Sequence, residues 1–169
     1  MTTSFGRVLR HLFYEDWTVR RKFPAQTLVA IDREITTNER RHSGEIVFAV
    51  ESSLRMRDLF KNESARDRAV DIFCRLRVWD TEQNNGVLIY VLLADRQVEI
   101  VADRGVHRRV GEQAWEAICA AMQAEFHDGR FHEGAVIGVQ AVSDLLAEHY
   151  PPTEGDVNEL PNEPRIIRD

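Results

Sequence analysis

Cysteine is scarce in this chain: Cys74 and Cys119 are the only two. Both fall in segments with helical apolar spacing, which fits buried thiols in a reducing compartment better than a disulfide framework. Long hydrophobic runs are also missing. No stretch approaches the ~18 consecutive apolar residues of a membrane-spanning helix. The N-terminal MTTSFGRVLRHLF is amphipathic but lacks the continuous apolar core and small-residue cleavage site of a secretory signal. Positive charge is not in excess. A net charge of −6 argues against a general nucleic-acid binder, whose affinity rests on phosphate neutralisation. The early basic cluster of Arg7, Arg10, Arg20, Arg21 and Lys22 reads as a solvated helix face. These absences predict a cytoplasmic protein with no nucleic-acid partner and no transmembrane segment. No internal repeat is visible.

What remains is an ordinary globular composition, 43% hydrophobic and 30% charged over 169 residues. That length suits one domain with a substantial core. The chain is organised around WDTEQNNGVLIYVLLADRQVEIVADRG, residues 79–105. A polar loop from Asp80 to Gly86 feeds an unbroken apolar run, Val87 to Ala94, with the pattern of a fully buried strand. A short turn, Asp95-Arg96-Gln97, returns the chain as Val98 to Ala102, where Val98, Ile100 and Ala102 alternate with polar neighbours. A turn this short permits only an antiparallel pairing. The hairpin therefore brings Asp103-Arg104-Gly105 beside Asn84-Asn85-Gly86, the most plausible place for a site.

Around the hairpin the periodicity predicts five helices and a further strand. Thr3 or Ser4 caps a first helix whose stripe Phe5, Val8, Leu9, Leu12 and Phe13 is expected to pack on the body of the domain, with Arg7, Arg10 and His11 on the other face. Phe23-Pro24 opens a second helix, with inner residues Leu28, Ile31 and Ile35. Glu45 to Val50 is apolar on both faces, as in a central strand. A short helical segment follows near Leu54 to Phe60. Ser64 caps a third helix with stripe Ala65, Ala69, Ile72, Phe73 and Leu76. Strand, helix, strand is a crossover unit, so the two central strands are expected to be parallel. A fourth helix carries Val110, Ala114, Ile118, Ala121 and Met122, and a fifth runs from about Phe131 to His149. Trp17, Trp79 and Trp115 read as core anchors. The predicted fold is a three-layer α/β sandwich, a small mixed sheet of three or four strands covered by helices on both faces. Residues 1–22 form an amphipathic helix and linker, 23–150 the domain, and 151–169 a polar, proline-dotted tail expected to be disordered.

The organising loop offers hard oxygen ligands, Asp80, Glu82, Asn84 and Asn85, with Asp103 expected close by. Such a set suits Ca²⁺ or Mg²⁺, and no organic cofactor is indicated. The spacing Asp80-x-Glu82-x-Asn84 starts like an EF-hand loop but fails it: Asn85 stands at the glycine position and Val91 at the bidentate glutamate position. A purely structural account also exists, in which Asn84 and Gly86 supply turn conformations while Asn85 and Asp103 bond loop backbone. His127 and His132 flank Gly129, but zinc needs more ligands than this loop supplies. Ligands of open α/β sheets bind beyond the carboxyl ends of parallel strands, which places a competing site near Glu51-Ser52-Ser53 and Asp95-Arg96.

NNGVLIYVLLADRQVEIVADRG, with GEIVFAVE before it and a Trp-bearing helix and FHDGRFHEGAVIGV after it, resembles the TPM domain. That family is named from a thylakoid lumen protein, a photosystem-associated protein and a receptor-modulating membrane protein. The likeness spans roughly residues 24–150, and this chain reads as a stand-alone, bacterial-type member. It implies a compact α/β sandwich, and for function either of two roles. One is an acid phosphatase acting on phosphomonoesters, with Ca²⁺ or Mg²⁺ bound. The other is a non-catalytic protein-binding module linked to membrane-protein assembly or repair. For the first, Asp103 or Asp80 would hold the ion and Arg104 would grip the phosphate of a phosphorylated small molecule. The helix after Gly105 would add backbone donors for the anion. Dedicated phosphatase signatures are absent: neither cysteine is followed by arginine six residues on, and no Asp-x-Asp-x-Thr loop or G-x-S-x-G elbow occurs.

Overall fold

A computed structural model of the protein describes residues 5–155 and 157–168, with only the backbone of Asp16. The expected cap residues Thr3 and Ser4 lie outside them. Four strands, β1 (Glu45–Glu51), β2 (Gly86–Leu92), β3 (Gln97–Ala102) and β4 (Arg165–Ile167), form one mixed sheet in the order β3-β2-β1-β4. β1 and β2 are parallel, in a register that sets Glu45 opposite Gly86 and Glu51 opposite Leu92. β2 and β3 are antiparallel, Val87 facing Ala102. β4 runs parallel to β1 on its free edge, from Ala49–Arg165 to Glu51–Ile167.

Every residue of β1 and β2 is buried, because both strands are covered on both faces. Alternate side chains serve two cores. Ile46, Phe48, Val50, Val87, Ile89 and Val91 meet residues of α3 (Ala25–Asn38), α7 (Glu112–His127) and α8 (Phe131–His149). Val47, Ala49, Leu88, Tyr90 and Leu92 meet α4 (Met56–Phe60) and α5 (Ala65–Arg75). Each fully buried aliphatic contributes roughly 1.5–3 kcal/mol. The result is the three-layer sandwich. The crossover through α5 starts from a capping box, in which Ser64 Oγ accepts the Asp67 amide while the Asp67 carboxylate accepts the Ser64 amide.

Several elements differ from expectation, each for a local reason. α1 (Phe5–Phe13) is turned over: Phe5, Leu12 and Phe13 face solvent, and the buried residue is His11. A carboxylate on the body recruits the polar face instead. Asp95, in the β2–β3 turn, accepts Arg7 Nη2 at 2.8 Å and meets His11 Nε2 at 2.9 Å. An extra helix, α2 (Asp16–Lys22), precedes α3. The fourth predicted helix is two, α6 (Arg104–Val110) and α7, split at Gly111, whose φ of 84° breaks the helical path. Of the tryptophans only Trp115 is buried; Trp17 and Trp79 are about half exposed. Cys74 is exposed because the inward stripe of α5 is Ala65, Arg68, Ala69, Ile72 and Phe73, while Cys119 is partly buried and its thiol is pushed up to about 11 by burial.

Residues 165–167, expected within a disordered tail, form β4. The polar stretch leading to it is tied down by side chains. Glu45 accepts the amides of Glu159 and Leu160, and Asn162 Nδ2 donates to Thr36 and Glu39. β-branched Ile166 and Ile167 then complete the edge.

Candidate functional site

The base of the β2–β3 hairpin is closed by backbone. Asp103 N–H donates to Gly86 O at 2.8 Å, joining the two motifs that the sequence places side by side. Asn84 adopts φ 52°, the left-handed conformation that Asn tolerates best after Gly. Gly86 has a different reason to be glycine: a Cβ there would lie 1.9 Å from the Val78 carbonyl oxygen. Asn85 is wholly buried. Its amide donates to Thr81 Oγ1 and its Nδ2 to Ser43 O at 2.6 Å, tying the loop to the entry of β1.

Above this base lies an open cleft of about 660 Å³ lined by Trp79, Gln83, Asn84, Asp103, Arg104, Gly105, Arg108, Arg109 and Tyr150. Asp103 caps α6, its Oδ1 accepting the Arg104 amide, while Oδ2 is shielded from solvent with no donor among the described residues. Arg104 and Arg108 stand one turn apart on α6 and form no ion pair with the described residues. Arg109 is held in place: its guanidinium lies 4.5 Å from the centre of the Tyr150 ring and donates to His149 O. Three guanidinium groups and one carboxylate thus share a wall. Such a wall has the charge and geometry to accept an anion, since guanidinium groups match phosphate and carboxylate.

The residues singled out from the sequence are only partly united here. Asn84, Asp103 and Arg104 line the cleft. Asn85 lies beneath it, with Oδ1 unpaired and its other groups in the loop. Asp80 is drawn outward into a pair with Arg77, whose guanidinium also covers the Trp79 ring. Glu82 is engaged through its amide, which donates to the Glu159 carboxylate at 3.0 Å. Among the described residues no three His, Cys, Asp or Glu side chains converge as a metal cage. The donor set fits a cation in one respect, the unpaired Oδ2 of Asp103. A single carboxylate suits Mg²⁺, which is commonly held by one or two carboxylates together with substrate phosphate oxygens, better than a Ca²⁺ cage of six to eight oxygens. Arg108, Arg109 and Tyr150 were not anticipated. The i, i+4 spacing of Arg104 and Arg108 is the signal that would have found the first.

At the opposite edge, beyond the carboxyl ends of β1 and β2, the polar residues are mostly consumed by structure. Glu51, Arg68 and Tyr90 form a buried cluster, with Arg68 Nε and Nη2 on the two Glu51 oxygens at 2.9 and 2.7 Å. Ser53 Oγ donates to Tyr14 O, and Ser52 O accepts the Ala94 amide. A groove of about 400 Å³ lies nearby, lined in part by Tyr14, Lys22, Arg96, Phe126 and Phe131. His127 and His132 are both exposed.

Residues 22–145 match the model of the TPM domain. Among solved structures, the chain is similar to the BA42 protein of the psychrophilic bacterium Bizionia argentinensis. The identity is 32%, the TM-score 0.74, and the match covers 85% of this chain and 94% of that one. The N-terminal domain of a protein from P. gingivalis shares the fold at 19% identity and TM-score 0.56, over 72% of this chain and 76% of that one. No curated protein matches. With the hairpin-base motifs, the mixed sheet and a family match spanning most of its length, the chain belongs to the TPM domain family.

Proposed function

We propose that the cleft binds phosphomonoesters and hydrolyses them slowly with the help of a divalent cation. The observation that carries this reading is the meeting of Arg104, Arg108 and Arg109 with the unpaired Asp103 oxygen on one wall. Arg104 and Arg108 receive the phosphoryl oxygens. Arg109, fixed on Tyr150, sets the position of the anion rather than following it. Trp79 and Tyr150 supply flat apolar surface for the leaving group. Asp103 Oδ2, with Asn84 beside it, would hold Mg²⁺, which when bound neutralises phosphoryl charge and acidifies a coordinated water. The cleft wall offers no Ser, Thr, Cys or His as a nucleophile, Asp103 is committed to capping α6 and to the cation, and Tyr150 is held under Arg109, so the attacking group is water. Its oxygen bonds to phosphorus, the ester P–O bond breaks, and the alcohol leaves with a proton from the water.

The same lack of a side-chain nucleophile favours one alternative, a non-catalytic module that reads a phosphorylated protein partner through the same arginines. One experiment separates the two. Backbone amide shifts are followed while phenyl phosphate is added with and without Mg²⁺, and phosphate release is assayed on the same samples. Saturable shifts at residues 84 and 103–109, lost in Arg108→Ala, together with Mg²⁺-dependent release lost in Asp103→Asn, establish the hydrolase. Shifts without release establish the binding module. An absence of shifts at millimolar ligand overturns both.

A further inference from the structure

α1 reverses the usual rule for amphipathic helices. Its polar side is sewn to the domain: Arg7 donates to Asp95 and to Glu63 O, and His11, only 4% exposed, bridges Asp95 and the Leu54 amide. Its apolar side is left in solvent. Phe5 is 77% exposed, Leu12 58% and Phe13 72%, and with Leu9 they occupy a single face at i, i+4, i+7 and i+8. Trp17, at the start of α2, is 53% exposed and has Arg21 over its ring. α4 packs beside α1 and adds exposed Phe60. A contiguous apolar face of this kind is rare on a monomeric soluble protein and marks a surface with a partner.

The charge around the face says which partner. Residues 5–22 carry five basic side chains against two acidic ones, in a chain whose net charge is −6. Arg7 and, at 3.7 Å, Arg10 both pair with Asp95, while Arg20 and Arg21 are exposed on α2 beside Trp17. Phenylalanine, leucine and tryptophan on one side, with arginine and lysine along the flank, is the composition of helices that lie in the headgroup region of anionic bilayers. A second copy of this acidic chain would supply the charge diffusely, and a bilayer supplies it in a plane. We infer that α1 and α2 form a membrane-surface dock that holds the domain on anionic lipid, with Asp95 as the latch that keeps the apolar face turned outward. No described helix is long and apolar enough to cross the membrane, so the contact is a surface one.

The test uses the full chain and vesicles of phosphatidylcholine with or without 30% phosphatidylglycerol, read by co-sedimentation and by tryptophan emission. The expected result is binding to the anionic vesicles only, weakened at least tenfold by 0.5 M NaCl and at least tenfold by Phe13→Asp or Leu12→Asp. Both positions are exposed, so circular dichroism of the variants should match the parent. The blue shift should vanish in Trp17→Phe, while Trp79→Phe keeps it. Sedimentation velocity without lipid supplies the opposing outcome. A dimer dissolved by Phe13→Asp, with no vesicle binding by the parent chain, would make the face a contact between copies and overturn the inference. Failure to bind anionic vesicles overturns it as well.

Discussion

The carbonyl oxygen of Asn84 lies 2.6 Å from where a Cβ on Gly105 would be, with Tyr150 Oη at 2.9 Å from the same point. Glycine in the Asp103-Arg104-Gly105 motif is therefore a matter of approach: the first turn of α6 touches the backbone of the Asn84 loop there, and both line the cleft. Gly105→Ala should force backbone rather than a flexible side chain to move. The expected cost is roughly 1–3 kcal/mol in urea unfolding, with a loss of phosphate-induced shifts at Asn84. An unchanged unfolding midpoint would refute the close contact.

The buried Glu51–Arg68–Tyr90 cluster joins β1, β2 and α5 through hydrogen bonds closed to solvent. Arg68→Met removes the guanidinium paired with Glu51 and leaves a carboxylate in the core. A loss of about 3–5 kcal/mol is expected, from the penalty of an unpaired buried charge. A double replacement, Arg68→Met with Glu51→Leu, should recover a large part of it. Non-recovery would mean that the packing of Arg68, not its charge, matters.

Glu45 is the acidic group most shifted toward neutrality. Burial pushes its carboxyl up to about 7, against the amide hydrogen bonds from Glu159 and Leu160, with the charges of Glu39 and Glu159 adding to the rise. A raised folded-state value favours the protonated form, so its contribution to stability is fully present below about 4.5 and lost as pH rises toward 7. The difference in unfolding midpoint between Glu45→Gln and the parent chain should move in the variant's favour from pH 5 to pH 8. A constant difference would show that the amide bonds keep Glu45 charged throughout.

Asp95 is shifted the other way. Burial opposes its charge, but hydrogen bonds from His11 and Arg7 and the charge of the Arg7 guanidinium outweigh it, holding the carboxyl well below the usual carboxylate range. The stabilisation is present at neutral pH and persists until the pH falls far into acid. Asp95→Asn should therefore release α1 at neutral pH. Amide exchange over residues 5–13 should accelerate at least tenfold while the strands keep their protection, and uniform protection would show that α1 is held by other contacts.

Local pattern carried the centre of this fold. The hairpin turn, the parallel crossover, the Ser64 cap and the span of α8 all follow from periodicity and turn chemistry within a few residues. What was not legible depended on distant partners. The orientation of α1 is set by Asp95, more than 80 residues away in the chain, and periodicity names a stripe without saying what it faces. β4 has only three residues, and its pairing depends on Glu45 holding the preceding stretch. At the site, Asn84, Asp103 and Arg104 converge because the hairpin brings its own ends together. Asp80 and Glu82 do not join them, because Arg77 and Glu159 engage those positions from outside the loop. Arg109 and Tyr150 reach the cleft from elements whose relative placement no local spacing encodes.

The strand at the sheet's middle has one neighbour early and the other very late. β1 can pair with β2 once residue 92 has been made, but its remaining edge waits for residues 165–167. During synthesis, Ala49 to Glu51 at the end of an entirely buried strand therefore stand with open backbone groups while more than 70 further residues emerge. That interval is when a nascent chain of this kind is open to pairing with a neighbouring copy on the same messenger. Residues 165–167 thus act as a closing clasp, and a chain interrupted short of them keeps that edge of β1 uncovered.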